Sequence, residues 1–143
     1  MRLLLAAIAV VALPNAALSG ADLIDVDALD KRIVHEIAEL TPLAIAEDGT
    51  PAVVFLDVKA GDVIPPHAAM GSLRILTVVS GELSWGDGSQ IDEAKERVFP
   101  AGSVLTVPAG IDHWVAARSG PIRLQLVVLD DEAPAPGIKD QMQ

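Results

Sequence analysis

Cysteine is absent from this 143-residue chain, which removes disulfides, thiolate nucleophiles, cysteine-based metal centres and cysteine lipidation from consideration. Basic residues are scarce: 10 Lys and Arg face 20 Asp and Glu, for a net charge of −10. Such a surface repels nucleic acid and anionic lipid, so neither is expected as a partner. The acids are scattered rather than gathered into a tail, a pattern that serves solubility. No apolar run is long enough to cross a bilayer as a helix. The longest, Leu3 to Leu13, falls well short of the roughly 20 residues required. Behind the basic start Met1-Arg2 it reads as a secretory signal peptide. Ala17, Ser19 and Ala21 are the small residues a signal peptidase needs, with cleavage after Ser19 or Ala21. The leader is therefore 1–21, and the expected location is periplasmic or secreted.

What is present suffices for one domain. Half of the residues are hydrophobic (51%), and a chain of this length buries roughly two-thirds of its unfolded surface without staples. In the N-terminal segment, 22–42, Leu29, Ile33, Ile37 and Leu40 recur at helical spacing behind Asp27 as a cap, which predicts a short helix. Alternation over Ile33 to Leu40 offers a strand as the competing reading. His35 lies inside this stretch and is expected to be a surface or half-buried histidine without chemistry.

From Leu43 the texture changes to short β-rich runs: Leu43 to Ala46, Val53 to Val58, Leu73 to Val79, Leu83 to Trp85, Val98 to Phe99, Val104 to Val107, Trp114 to Ala117 and Ile122 to Leu129. Turn signals such as Ala60-Gly61-Asp62, Ser80-Gly81 and Gly86-Asp87-Gly88 divide them. Gly86-Asp87-Gly88 is a hairpin turn and not a phosphate loop, since no helix follows it. Eight short strands predict an all-β, antiparallel barrel or jelly roll over 43–130, followed by a loosely attached tail, 131–143. Ile75 to Val79 and Leu126 to Leu129 are apolar on both faces and need cover on both, which predicts a homodimer.

Two segments carry a family resemblance. Gly61, His67 and Gly81 fit G-x5-H-x-H-x4-E-x6-G, and Gly102, Pro108, Gly110 and His113 fit G-x5-P-x-G-x2-H-x3-N. The chain thus resembles the cupin superfamily from about Leu43 to Leu129, which implies a double-stranded β-helix. The resemblance also implies a metal site of three histidines and a glutamate inside the barrel, suited to Fe, Mn, Ni or Zn. Here the sequence departs from the pattern. His67 and His113 stand at ligand positions, but Ala69 replaces the second histidine, Arg74 the glutamate and Ala117 the final asparagine. Two imidazoles are fewer than the three protein ligands usual in catalytic sites, and a guanidinium adds repulsion. No tightly held metal is expected, with weak or vestigial binding by His67 and His113 as the alternative.

A cation and two imidazoles inside an aliphatic barrel suit an anion. Arg74 could take a carboxylate bidentately, with His67 and His113 hydrogen-bonding around it. Trp85 could form a lid on the pocket. The competing arrangement has Arg74 paired with Glu82 or Asp57 and both histidines merely packed. Three functions follow: a binding protein for a small, anionic ligand; a cupin-type enzyme (dioxygenase, isomerase, decarboxylase or lyase) using His67 or His113 as acid or base; and a dimeric structural or sensing subunit. Asp112 and Trp114, next to His113, should point away from it by strand alternation.

Overall fold

A computed structural model describes residues 20–129. The C-terminal tail and all of the leader except Gly20 and Ala21 lie outside the described residues. The strands, in order, are β1 (Arg32–Val34), β2 (Ala38–Ile45), β3 (Pro51–Val58), β4 (Val63–Ala68), β5 (Leu73–Ser80), β6 (Glu82–Asp87), β7 (Arg97–Pro100), β8 (Val104–Val107), β9 (Asp112–Ala116) and β10 (Ile122–Leu129). They form two antiparallel sheets, one ordered β1-β2-β3-β10-β5-β8 and the other β4-β9-β6-β7, packed face to face as a small jelly roll.

Alternation decides which side chains enter the core. Val54, Leu56 and Val58 of β3, Leu76 and Val78 of β5, and Ile122 and Leu124 of β10 are all buried, while Phe55, Asp57, Thr77 and Arg123 take the opposite face of the same sheet. Each fully buried aliphatic side chain contributes about 1.5–3 kcal/mol. Two glycines are required by contact. Gly81 has φ 78°, and a Cβ there would collide with the Pro121 carbonyl oxygen. Gly86 leaves room for the Trp114 indole, which lies where its Cβ would be.

The N-terminal helix is corrected. Among the described residues one 3-10 turn, Val26–Ala28, is the helical structure before β1, and Ile33 to Leu40 folds into the β1–β2 hairpin, with Arg32 opposite Leu40 and Val34 opposite Ala38. Tertiary pairing overrides the local pattern: β2 lies against β3 with Leu40 opposite Leu56, so Leu40 is packed against the core by a neighbour more than a dozen residues away. The hairpin turns at His35 and Glu36, with φ 50° and 66°, and is closed by the Ile37 N–H donating to the Val34 carbonyl at 3.3 Å. Two positive φ values are what a primed hairpin turn needs. In non-glycine residues they cost about 1–2 kcal/mol each.

Strand β4 was hidden in the sequence by Pro65-Pro66. The prolines are tolerated because β4 is the edge of its sheet and the ladder slips between Ile64 and His67, a bulge that removes the need for their missing N–H groups.

Candidate functional site

The bulge in β4 sets the direction of His67. Ile64 pairs with Val115 and His67 with His113, so between these pairs two residues on β4, Pro65 and Pro66, are matched by one on β9, Trp114. Ile64 and Val115 both belong to the core. The alternate position on β9, His113, therefore also points inward, and His67 points inward beside it. Their rings lie 4.4 Å apart between centroids, tilted by 57°.

Both rings are oriented by their own strand. The Nδ1–H of His67 donates to the Pro65 carbonyl at 2.9 Å, and that of His113 to the Ile111 carbonyl at 3.0 Å. A carbonyl only accepts, so Nδ1 carries the proton, and the neutral form of either ring would keep its lone pair on Nε2. Burial pushes the His113 pKa below its ordinary 6.5. The Ile111 carbonyl opposes that shift, the charges of His67 and Arg74 add to it, and Asp87 counters it again.

His35 is the residue that sequence reasoning missed. The hairpin turn carries its ring to 4.2 Å from that of His67, so all three histidines of the chain stand in a row. Burial, and then the neighbouring His67, lowers its pKa. The alternation over Ile33 to Leu40 was the one signal that could have suggested a strand here.

Trp85 stacks on the far side of His113, with centroids 4.4 Å apart and planes within 10°, and its indole N–H donates to Asp87 at 2.8 Å. It is buried in the core and lines a cavity of about 550 Å3 with Asp87, Arg97, Phe99 and His113. Trp114 points the other way, as expected, and donates to Glu96 at 3.0 Å.

Arg74 occupies the inner face of β5, two residues before the buried Leu76, and pairs across the ladders with Val128 and Val107. It lines a second cavity, of about 360 Å3, together with His35 and His67. Arg74 and His67 are thus brought to one cavity, while Trp85 faces a different one and His113 stands between. The acids the sequence offered to Arg74 are engaged elsewhere. Asp57 accepts from Arg123 at 2.7 and 3.0 Å, and Glu82 accepts from Ser119 at 2.7 Å. Among the described residues Arg74 makes no ion pair or hydrogen bond, and burial draws its pKa below the ordinary guanidinium range.

The donor set does not fit a tightly held divalent metal. Ala69 is buried with no donor to offer, and a guanidinium faces the cavity where a carboxylate would be needed. The three rings stand in a row, and among the described residues no group of three His, Cys, Asp or Glu side chains is arranged to hold a metal ion.

Comparisons with known proteins bear on the architecture. Residues 37–139 match the family model described as cupin, and no curated protein matches the sequence. Among solved structures, a predicted oxalate decarboxylase from Thermotoga maritima superposes with a TM-score of 0.60 at 14% identity, over 76% of this chain and 98% of its own. KdgF from a Halomonas species gives 0.57 at 19% identity, over 86% and 100%. The DMSP lyase DddQ from Ruegeria pomeroyi gives 0.58 at 19% identity, over 76% and 60%. At these identities the likeness is one of fold.

Proposed function

Because the chain belongs to the cupin family, we propose that it uses the barrel interior as most of that family does, for a small ligand, but selects an anion and needs no tightly held metal to do so. Arg74 is the charge partner, taking a carboxylate through its planar fork. His67 lines the same cavity and hydrogen-bonds the ligand, with His113 behind it. The observation that carries this reading is the guanidinium of Arg74 on the inner face of β5, which among the described residues is unpaired and shares its cavity with two imidazoles and no acid. A half-buried charge without a partner costs stability, and a site that recovers the cost on binding gives it a use.

Calorimetric titration of metal-free protein with acetate tests the proposal. Arg74→Met should weaken binding by at least tenfold, since removing one partner of a desolvated charge pair costs about 2–5 kcal/mol. Equal affinity in the variant and the parent overturns it.

A second reading is favoured by the tautomers. With Nδ1–H held by a carbonyl, the Nε2 of His67 and of His113 is a base aimed away from the strand, the requirement for a general base in an isomerase or lyase. Loss of turnover in His67→Gln and His113→Gln, with folding retained, would favour this reading over simple binding. Two further parts of the proposal stand on the sequence. Export rests on the leader 1–21, and the intact mass of native protein checks it. A homodimer is supported by Val79 and Val104, 44% and 64% exposed on the outer face of the larger sheet, and light scattering checks that.

A further inference from the structure

Resting on the anion reading, we infer that the ligand is a short aliphatic carboxylate, its head at Arg74 and its tail against the larger sheet. The cavity divides cleanly by chemistry. Among the described residues its polar side chains are Arg74 from β5, His67 from β4 and His35 from the hairpin turn, and every other described residue lining it is apolar. The tail wall is built by Leu40, Val54, Leu56, Leu126 and Val128. These are contiguous through the ladders: Leu40 lies opposite Leu56, Leu126 opposite Val54, and Val128 opposite Arg74 itself.

That wall discriminates among anions. It carries no hydroxyl, amide or acid, so a sugar acid would bring in hydroxyls that find no partner there. Each would forfeit its water and be left unsatisfied. An aliphatic tail loses nothing and gains at every carbon. Burial of a methylene is worth about 0.8 kcal/mol, about fourfold in affinity, so affinity should climb steadily with chain length until the cavity is full. His35 lines the same cavity, with its ring 4.2 Å from that of His67, which makes the hairpin part of the site.

The experiment is a calorimetric series on the full-length protein, from acetate through butanoate to hexanoate, with gluconate as the hydroxylated acid and hexan-1-ol as the neutral control. The expected result is a rise of about fourfold per methylene, with gluconate no tighter than acetate and hexan-1-ol weaker than hexanoate by at least tenfold. Val54→Thr, which keeps the shape but places a hydroxyl on the tail wall, should weaken hexanoate by a larger factor than acetate. Affinity that does not rise with chain length, or gluconate binding as well as hexanoate, overturns the aliphatic assignment. If acetate binding is still lost in Arg74→Met, the anion reading stands in either case. Hexan-1-ol binding as tightly as hexanoate, or no carboxylate binding at all, overturns the anion reading and this one with it.

Discussion

Arg123 and Arg74 are the half-buried arginines of the described residues, and they sit at opposite ends of the same β10–β5 ladder, Arg123 opposite Ser80 and Arg74 opposite Val128. On the outer face Arg123 is fully engaged. It donates twice to Asp57 and lies 5.1 Å over the Phe55 ring. The outer face of the other sheet carries Trp114 of β9, whose acceptor Glu96 is gripped by Arg118 at 2.7 Å. Arg74, on the inner face, shares its cavity among the described residues with apolar side chains and imidazoles. One region has its charges closed off pair by pair and the other keeps a charge open, which separates the part of the barrel that holds the fold from the part available to a ligand.

The hardest test of the closed region is Gly86→Ala. Trp114 is 1% exposed, and the new methyl would occupy the position of its ring. The indole must move, taking its bond to Glu96 with it. Overpacking at a site that cannot give should cost about 3 kcal/mol, read as a drop in the denaturant midpoint. A loss of less than about 1 kcal/mol would mean that this face yields more easily than the described packing allows.

Next in size is a matched pair of substitutions on the two arginine sites. Asp57→Ala leaves Arg123 without an acceptor and should destabilise by about 1.5–3 kcal/mol, the range for hydrogen bonds to charged groups, with carboxylate affinity unchanged. Arg74→Met removes an unpaired charge and should leave stability unchanged or slightly raised while binding is lost. Equal stability losses in the two variants would erase the distinction between the faces.

The sequence disclosed the closed region better than the open one, for physical reasons that differ by residue. Strands such as Val104 to Val107 and Ile122 to Leu129 were legible to the residue, because alternation and glycine turns are local signals. The two motifs, legible by spacing, placed His67, Arg74 and His113 on inward positions. The hairpin was not legible. Leu29, Ile33, Ile37 and Leu40 mimic a helical face, and a primed turn at His35-Glu36 lacks the asparagine or glycine that would announce it. The place of His35 in the row depends on β2 finding β3. No local pattern encodes that. The freedom of Arg74 was equally hidden, since it follows from Arg123 and Ser119 having taken the acids that lay within sequence reach.

Acid titration should separate the two regions by pH. Burial lowers the pKa of His113 from 6.5, so the unfolded chain binds the proton more readily. The stability this gives is complete above about pH 6.5 and is lost as pH falls through that value toward the folded one. Glu96 is held below its ordinary 4.5, chiefly by the hydrogen bonds from Arg118, with a further contribution from Trp114. Its contribution persists until pH drops below about 4.5 and is lost as the folded pKa is passed. Stability against pH should therefore fall in two steps. His113→Gln should shrink the upper step to the part that His35, lowered by burial as well, supplies, and Glu96→Gln should abolish the lower one. A single step near pH 4 would show that the imidazole row does not share the burial that sets it apart.

The smallest effect tests whether the outer side is closed as tightly as its ion pairs suggest. Thr41 of β2 lies opposite Phe55, fully buried, and among the described residues its hydroxyl has no partner. Such an orphan differs from Arg74 in kind. It lines neither of the two cavities, and its lost hydration is an uncompensated cost. Thr41→Val keeps the branched shape that suits a strand and should raise stability by up to about 1 kcal/mol, a gain of roughly 3 °C in Tm for a domain of this size. Thr41→Ser, which keeps the hydroxyl and loses a methyl, should lower it. A fall in Tm for Thr41→Val would mean the hydroxyl is bonded, leaving Arg74 as the half-buried polar group without a partner and the difference between the two faces sharper than drawn.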